Sequence, residues 1–348
     1  MRDFSRAGGT VSVTWDVRTV YDFVFSLSGE AGESDDLPTA DRRWLADAKA
    51  ALVHEVGEAA ELYSSELCIV LAGLAVDRPD VTDAAAFVDL VQHASSDEII
   101  HTLLSEDVRS PETRALAERA LAGDAEAKTM LVDLLVAGDS HRREAFAAVL
   151  DDVDAMADRG RIVLRAWLRQ FSEIEPRIGA IIRRDADARA RDAATLAPAD
   201  LIERTTGGIR WLSEPGIRRV VLAPSYFARP YNYLLGGDDW RLFGYPVADG
   251  ALDPVDPMAP PQSLVRLNRA LGDDTRLRIL RLLRDRDLYL TEIAQALELS
   301  KPTIKHHLAQ LRSAGLVTLT EEGGLSYYSL RRARLDDATA ELKHFLVE

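Results

Sequence analysis

The stretch TEIAQALELSKPTIKHHLAQLRSAGL, residues 291–316, decides the fold of the C-terminal part of this chain. Ile293, Ala294 and Leu297, then Ile304, Leu308 and Leu311, recur at spacings of three and four. That spacing marks two short helices, each with one buried face, joined by a tight turn. Ser300 is a sound N-cap for the second helix, and Pro302 falls in its first turn, where a missing N–H costs nothing. Gly315 ends it. The chain has five lysines, Lys49, Lys128, Lys301, Lys305 and Lys343. Two of them stand four apart at the start of this second helix, beside His306 and His307. On an acidic, lysine-poor protein this is a local cationic edge, placed where a helix would enter a DNA groove.

Upstream of this stretch, Leu264, Leu267 and Leu271 share one face of a preceding helix. Asp273 or Asp274 caps the next, which carries Leu277, Leu280 and Leu283. Thr291 opens the third. Downstream, LVTLT and LSYYSL flank EEGG and predict a strand–turn–strand hairpin. A last helix carries Leu335, Ala338, Leu342 and Phe345. Helix, helix, helix–turn–helix, hairpin, helix is the order of a winged helix-turn-helix domain over 263–348. Upstream, ADGALDPVDPMAPPQ (248–262) holds Pro254, Pro257, Pro260 and Pro261 without periodicity and reads as a linker. Before it, 18–27 and 41–195 read as helices, broken near Pro79, Pro111, Gly123 and Gly138. VSVTWDV (11–17), IRRVVLAPSYFA (217–228) and WRLFGYPVA (240–248) read as strands. The expectation is an α+β chain. Region 1–247 is mostly helical with a small antiparallel sheet, strand 11–17 among its candidates, and the winged domain follows the linker.

The C-terminal segment resembles the ArsR family of winged-helix transcriptional regulators in ALGDDTRLRILRLL, in LTEIAQALELSKPTIKHHLAQLRSAGLV, and in the wing ending YYSL. The whole length is similar to long members with a large N-terminal region. The resemblance implies a homodimer on double-stranded DNA, with Leu264, Leu267, Leu271, Leu335, Leu342 and Phe345 at the two-fold interface. Physical reasoning runs the same way. A major groove about 12 Å wide admits one α-helix. One such helix touches few bases, so two half-sites are needed for specificity. The recognition helix is expected over 300–313, with Ser300, Lys301, Pro302, Thr303, Lys305, His306, His307 and Gln310 as DNA-binding residues. Three departures from the family stand out. Glu298 occupies a turn position where Gly is common. The wing tip, Glu321-Glu322-Gly323-Gly324, is acidic. The segment DLYLTEIA has no cysteine, so a thiolate sensor of soft metal ions is excluded.

Charge divides the chain. Overall it carries a net charge of -15, with 42 Lys+Arg and 57 Asp+Glu. Residues 262–348 hold 14 Lys+Arg against 12 Asp+Glu, which leaves 28 against 45 for the rest. Phosphates would therefore be repelled everywhere but the C-terminal quarter. Cys68 is the only cysteine, which rules out an internal disulfide. No apolar run approaches the roughly 20 residues a bilayer span needs, and MRDFSRAGGTVSV has no apolar leader segment. A cytoplasmic location is expected.

Catalytic and metal motifs fall short. HEVGE (54–58) has Glu58 where a zinc protease needs a second histidine. His93, Asp97 and His101 straddle a helix start. Asp336, Asp337 and His344 do not complete a ligand set. GEAGES (29–34) is not a dinucleotide loop. Catalytic residues, metal and cofactor are all expected to be none. The aromatic group 211–245 is read first as packing. As an effector pocket for an unknown small molecule, it would use Tyr226, Tyr231, Trp240 and Tyr245. The function expected is a DNA-binding transcriptional regulator, a repressor reading a palindromic operator. An enzyme or a protein-interaction adaptor carrying a winged helix is the alternative.

Overall fold

The computed structural model describes residues 11–32, 35–57, 59–60, 67–104, 111–135, 147, 149–253, 258–322 and 325–347. Glu58, Gly138, Pro254, Pro257 and the wing tip at Gly323-Gly324, all named above, lie outside the described residues, as do the side chains of Cys68, Glu321 and Glu322.

A four-stranded sheet organises the N-terminal region. It comprises β1 (Ser12–Trp15), β2 (Arg219–Ser225), β3 (Tyr233–Gly236) and β4 (Trp240–Pro246), in the order β1-β2-β4-β3. Only β3 runs antiparallel to its neighbour; β1–β2 and β2–β4 are parallel. The α+β reading stands, and the expected antiparallel sheet is corrected to a mixed one. The cause is burial on both faces. Val221, Ala223 and Leu242 pack into the large helical core, while Val220, Leu222, Phe243 and Tyr245 pack on the opposite face with Leu201 and Ile202. A sheet covered on both faces is where parallel strands occur, and such strands show continuous apolar runs rather than alternation. The run VVLAPS of β2 is buried throughout. Gly244 makes room for the helices: a Cβ there would stand 2.4 Å from the Phe25 ring.

Helix α1 (Thr19–Phe25) is wholly buried against that sheet. Around it stand α2 (Thr39–Val56), α3 (Leu67–Val70), α4 (Ala84–His93), α5 (Ser96–Leu104), α6 (Pro111–Leu121), α7 (Ala125–Leu135), α8 (Val153–Phe171), α9 (Glu175–Thr195) and α10 (Pro198–Thr205). Trp167 of α8 is fully buried and donates to Phe23 O (3.2 Å) and Ser26 Oγ (2.9 Å), which ties α8 to the end of α1. Asp22 of α1 is also fully buried. Its Oδ1 accepts from the Ser225 hydroxyl (2.6 Å) and the Phe227 N–H (3.0 Å). Its Oδ2 has no hydrogen-bond partner.

The stretch read as a linker is tied down where it is described. Ala248 N–H donates to the buried Asp185 (2.8 Å), and Arg184 pairs with Asp253 (2.7 Å). Proline-rich composition signals the absence of its own periodicity, not the absence of tertiary partners.

Beyond it come α11 (Gln262–Leu271), α12 (Asp274–Leu282), β5 (Leu288–Tyr289), α13 (Leu290–Leu297), α14 (Lys301–Ser313), β6 (Val317–Glu322), β7 (Leu325–Leu330) and α15 (Arg332–Val347). The wing sheet is antiparallel, in the order β5-β7-β6. Asp273 caps α12 through the Arg276 N–H (2.9 Å). Ile279, Leu280, Leu283, Ile293, Ile304, Leu308 and Leu311 share one core. Leu277 is corrected: it is 48% exposed, because Ile279 takes the core-facing position. Glu298, after α13, has φ +56° and ψ +38°, the left-handed conformation that glycine adopts without cost.

Two outcomes are expected. Burial pushes the Asp22 carboxyl up to about 6, with the Phe227 N–H and the Ser225 hydroxyl offsetting only part of that. A folded pKa above the ordinary 3.8 means the native state holds the proton where the unfolded chain has lost it. Asp22 therefore costs stability as pH rises from about 4 to about 6, on the order of 2 kcal/mol. Urea unfolding across this range should show Asp22→Asn without that component; an identical pH slope in both proteins would refute it. Glu298→Gly should stabilise the chain by about 1 kcal/mol through relief of the left-handed backbone, measured as a higher urea midpoint at unchanged m-value.

Candidate nucleic-acid interface

Helix α14 presents its first turns to solvent. Ser300 caps it: its Oγ accepts from the Thr303 N–H (3.3 Å) and lies 2.7 Å from the Thr303 hydroxyl. Ile304, Leu308 and Leu311 are buried, which turns Pro302, His306, Ala309 and Ser313 to the opposite side at 100° per residue. Ser300, Lys301, Pro302, Thr303, Lys305 and His306 are exposed. Free N–H groups and the helix dipole add a partial positive charge at this end, and no acidic residue stands in the first turn. The edge offers two ammonium groups, an imidazole and two hydroxyls, a set suited to phosphate oxygens and base-edge acceptors.

Two of the expected residues lie elsewhere. His307 turns back toward the domain: its side chain is only 15% exposed and its Nδ1 lies 3.8 Å from Asp273 Oδ1. At one residue past His306 it falls on the flank of the core face. Gln310 is half-buried and faces a cleft of about 250 Å³, across from Asp35, Asp36 and Tyr231. The outward face of the helix is therefore open for its N-terminal turns and faced by the N-terminal region beyond them.

That seam is polar. Ile209 forms a parallel bridge with Leu319 of β6; Arg210 N–H donates to Leu319 O and Leu319 N–H to Gly208 O, both 3.0 Å. Edge strand β6 is thereby partly covered. Asp36 pairs with Arg266, Asp35 with Arg269 (3.2 Å), and Glu203 with Arg331 (4.0 Å). Burial, and then the like charge of Arg334, push the Arg266 guanidinium down to about 10. Arg229, only 4% exposed, donates to Asp36 O (3.2 Å) and Val247 O (2.5 Å) and pairs with Asp249. Asp249 also accepts from the N–H of Ser263, at the start of α11 (2.7 Å). Burial pushes the Asp249 carboxyl up, but Arg229 and Ser263 outweigh it and hold the group below its usual range. None of the residues 203–210 or 229–232 that shape this seam belongs to a motif. Only the packing of two regions brings them to α14.

The four aromatic residues named for an effector pocket are not brought together. Tyr226 and Tyr245 are buried and engage Asp41 and the Trp15 indole (2.9 Å from the Tyr245 hydroxyl). Tyr231 faces the seam, and Trp240 lines a separate groove of about 590 Å³ with Arg78, Glu98, His101, Arg114 and Asp238. Packing satisfied the sheet first. His93 ends α4 while Asp97 and His101 belong to α5, and no group of three metal-ligating side chains occurs among the described residues. Among those residues, no helix is long and apolar enough to cross a membrane.

The comparisons with known proteins fall on the same segment. Residues 273–318 match the family "Bacterial regulatory protein, arsR family". The chain is 42% identical over 80 residues to the HTH-type transcriptional regulator CmtR of Mycobacterium tuberculosis, a stretch covering 23% of this chain and 68% of that protein. It is 36% identical over 78 residues to the transcriptional repressor SdpR of Bacillus subtilis, covering 22% of this chain and 87% of that protein. Among solved structures, HlyU from Vibrio cholerae aligns at 31% identity over 25% of this chain and 95% of that one, with a TM-score of 0.21. The matched segment 273–318 and the likeness to CmtR and SdpR, each covered over more than two thirds of its length, establish that the chain belongs to the arsR family of bacterial regulatory proteins.

Proposed function

We propose that this protein is a homodimeric repressor that reads a near-palindromic operator through α14, with 263–348 as the reader and 1–247 as the regulatory region. The observation that carries the reading is the exposed first half of α14, where Ser300, Lys301, Thr303, Lys305 and His306 share an uncrowded edge. Lys301 and Lys305 serve as the principal donors, and the helix N-terminus holds a backbone phosphate. The repressor sense follows SdpR, which is named a repressor.

Helix α15 supports the dimer. Leu335, Leu342 and Phe345 are 38%, 40% and 37% exposed, and Leu346 and Val347 more so. A terminal helix with this much apolar surface in water is unpartnered in one chain. Leu264 and Leu267, by contrast, are covered within their own chain, at 4% and 2% exposure. This exposure supports a two-fold contact through α15 rather than through Leu264 and Leu267. For an effector, the 590 Å³ groove falls within the volume range of small-molecule sites.

Three outcomes are expected. In gel shifts with operator selected from random duplexes, Lys301→Ala and Lys305→Ala should each weaken binding about five- to tenfold, roughly 1 kcal/mol, with the fold intact by circular dichroism. Unchanged affinity in both variants would remove α14 as the reader. Footprints should show paired half-sites about 10 bp apart or a multiple of that; a single asymmetric half-site would refute the dimeric arrangement. The double variant Leu342→Glu with Phe345→Glu should run as a monomer in light scattering, and a persisting dimer would move the interface elsewhere.

A further inference from the structure

The N-terminal region faces the second half of α14. Ala309 and Ser313 share the outward line of Pro302 and His306, yet they look into clefts rather than into solvent. One cleft, about 300 Å³, separates Ala309, Arg312 and Ser313 from Thr206, Tyr231 and Asn232. Another, about 250 Å³, separates Gln310 and Ser313 from Asp35, Asp36 and Tyr231. A groove wall of B-DNA cannot enter either one. On the N-terminal side Glu30, Asp35 and Asp36 line the gaps, and Asp35 and Asp36 engage Arg269 and Arg266, cations of the winged unit that DNA phosphates would otherwise meet.

We infer that the arrangement in this structure is a DNA-excluding state, in which the 229–232 loop and the acidic 35–36 segment close the recognition helix and operator binding requires the seam to open. This rests on the proposed role of α14 as the reader. Two features make the seam a device that opens. Its two sides belong to different hydrophobic cores, so no single apolar cluster spans the seam. Its links include a one-residue backbone bridge, the Ser263 N–H bond to Asp249 and three ion pairs, of which Asp35–Arg269 is more than half exposed. The bridge is also sterically exact at Gly208, which has φ +132° and whose added Cβ would stand 3.1 Å from Val317 O. A side chain there presses on β6 from the N-terminal side and leaves the residues of α14 unaltered. The inference also gives the charge division a role: the strongly acidic region is held directly against the helix that phosphates must reach.

The test uses the full chain. Hydrogen exchange is followed at the Arg210 and Leu319 amides, which are bonded across the seam in the free protein. Saturation with selected operator should accelerate both at least tenfold, and Gly208→Val should bind that operator at least tenfold more tightly than the unaltered protein. A shifted complex in which both amides keep their protection would overturn the closure while leaving α14 as the reader. If neither protein shifts any duplex from the pool, the reading of α14 itself falls, and the closure with it. Asp35→Asn with Asp36→Asn, which keeps Gly208 and its backbone, is the second variant. It should tighten binding in the same direction, and weaker binding by this variant would count against the closure.

Discussion

The buried guanidinium of Arg229 sets the relation between the two halves of this protein. It satisfies itself with the carbonyls of Asp36 and Val247 and the carboxylate of Asp249. A cation this enclosed is tolerable only when every such partner is in place. Those partners come from the segment before α2, from the end of β4 and from the start of the proline-rich stretch. Fixing them positions Asp35 and Asp36 against α11, seats Ser263 through Asp249, and presents Pro230 and Tyr231 to α14. Asp22 secures the near end of the same loop through Ser225 and Phe227.

The two cores differ in what holds them. The N-terminal core is a doubly covered mixed sheet with helices on both faces, so its strands carry apolar side chains in both directions. The winged unit is small and relies on local signals: a capping aspartate, a capping serine, a left-handed residue after α13 and a glycine after α14. Between them runs a polar seam. Its ion pairs range from the largely buried Asp36–Arg266 to the exposed Asp35–Arg269, which contributes little by itself.

The winged helix was legible in the chain because its chemistry is written within short windows. Ser300 three residues before Thr303, Pro302 in the first turn and Ile304, Leu308 and Leu311 on one stripe specify the helix and its exposed edge without reference to anything distant. His307 and Gln310 lie off the exposed edge for the opposite reason. Their surroundings are supplied by Asp273 and by residues 35–36, which lie respectively 34 and about 275 positions earlier in the chain. The mixed sheet was missed because periodicity identifies a strand but not its neighbours. The aromatic residues dispersed because each found a separate place in the packing.

Local chemistry alone dictated the helix–turn–helix, the cationic edge at Lys301 and Lys305, the absence of a thiolate pair and the acidic character of everything before the winged unit. Each depends on residues close in sequence or on composition. Tertiary structure decided which strands run parallel, which apolar residues of α11 and α15 are covered, and what stands over the second half of α14. Those outcomes depend on burial and on hydrogen bonds between segments hundreds of residues apart, where spacing along the chain carries no information.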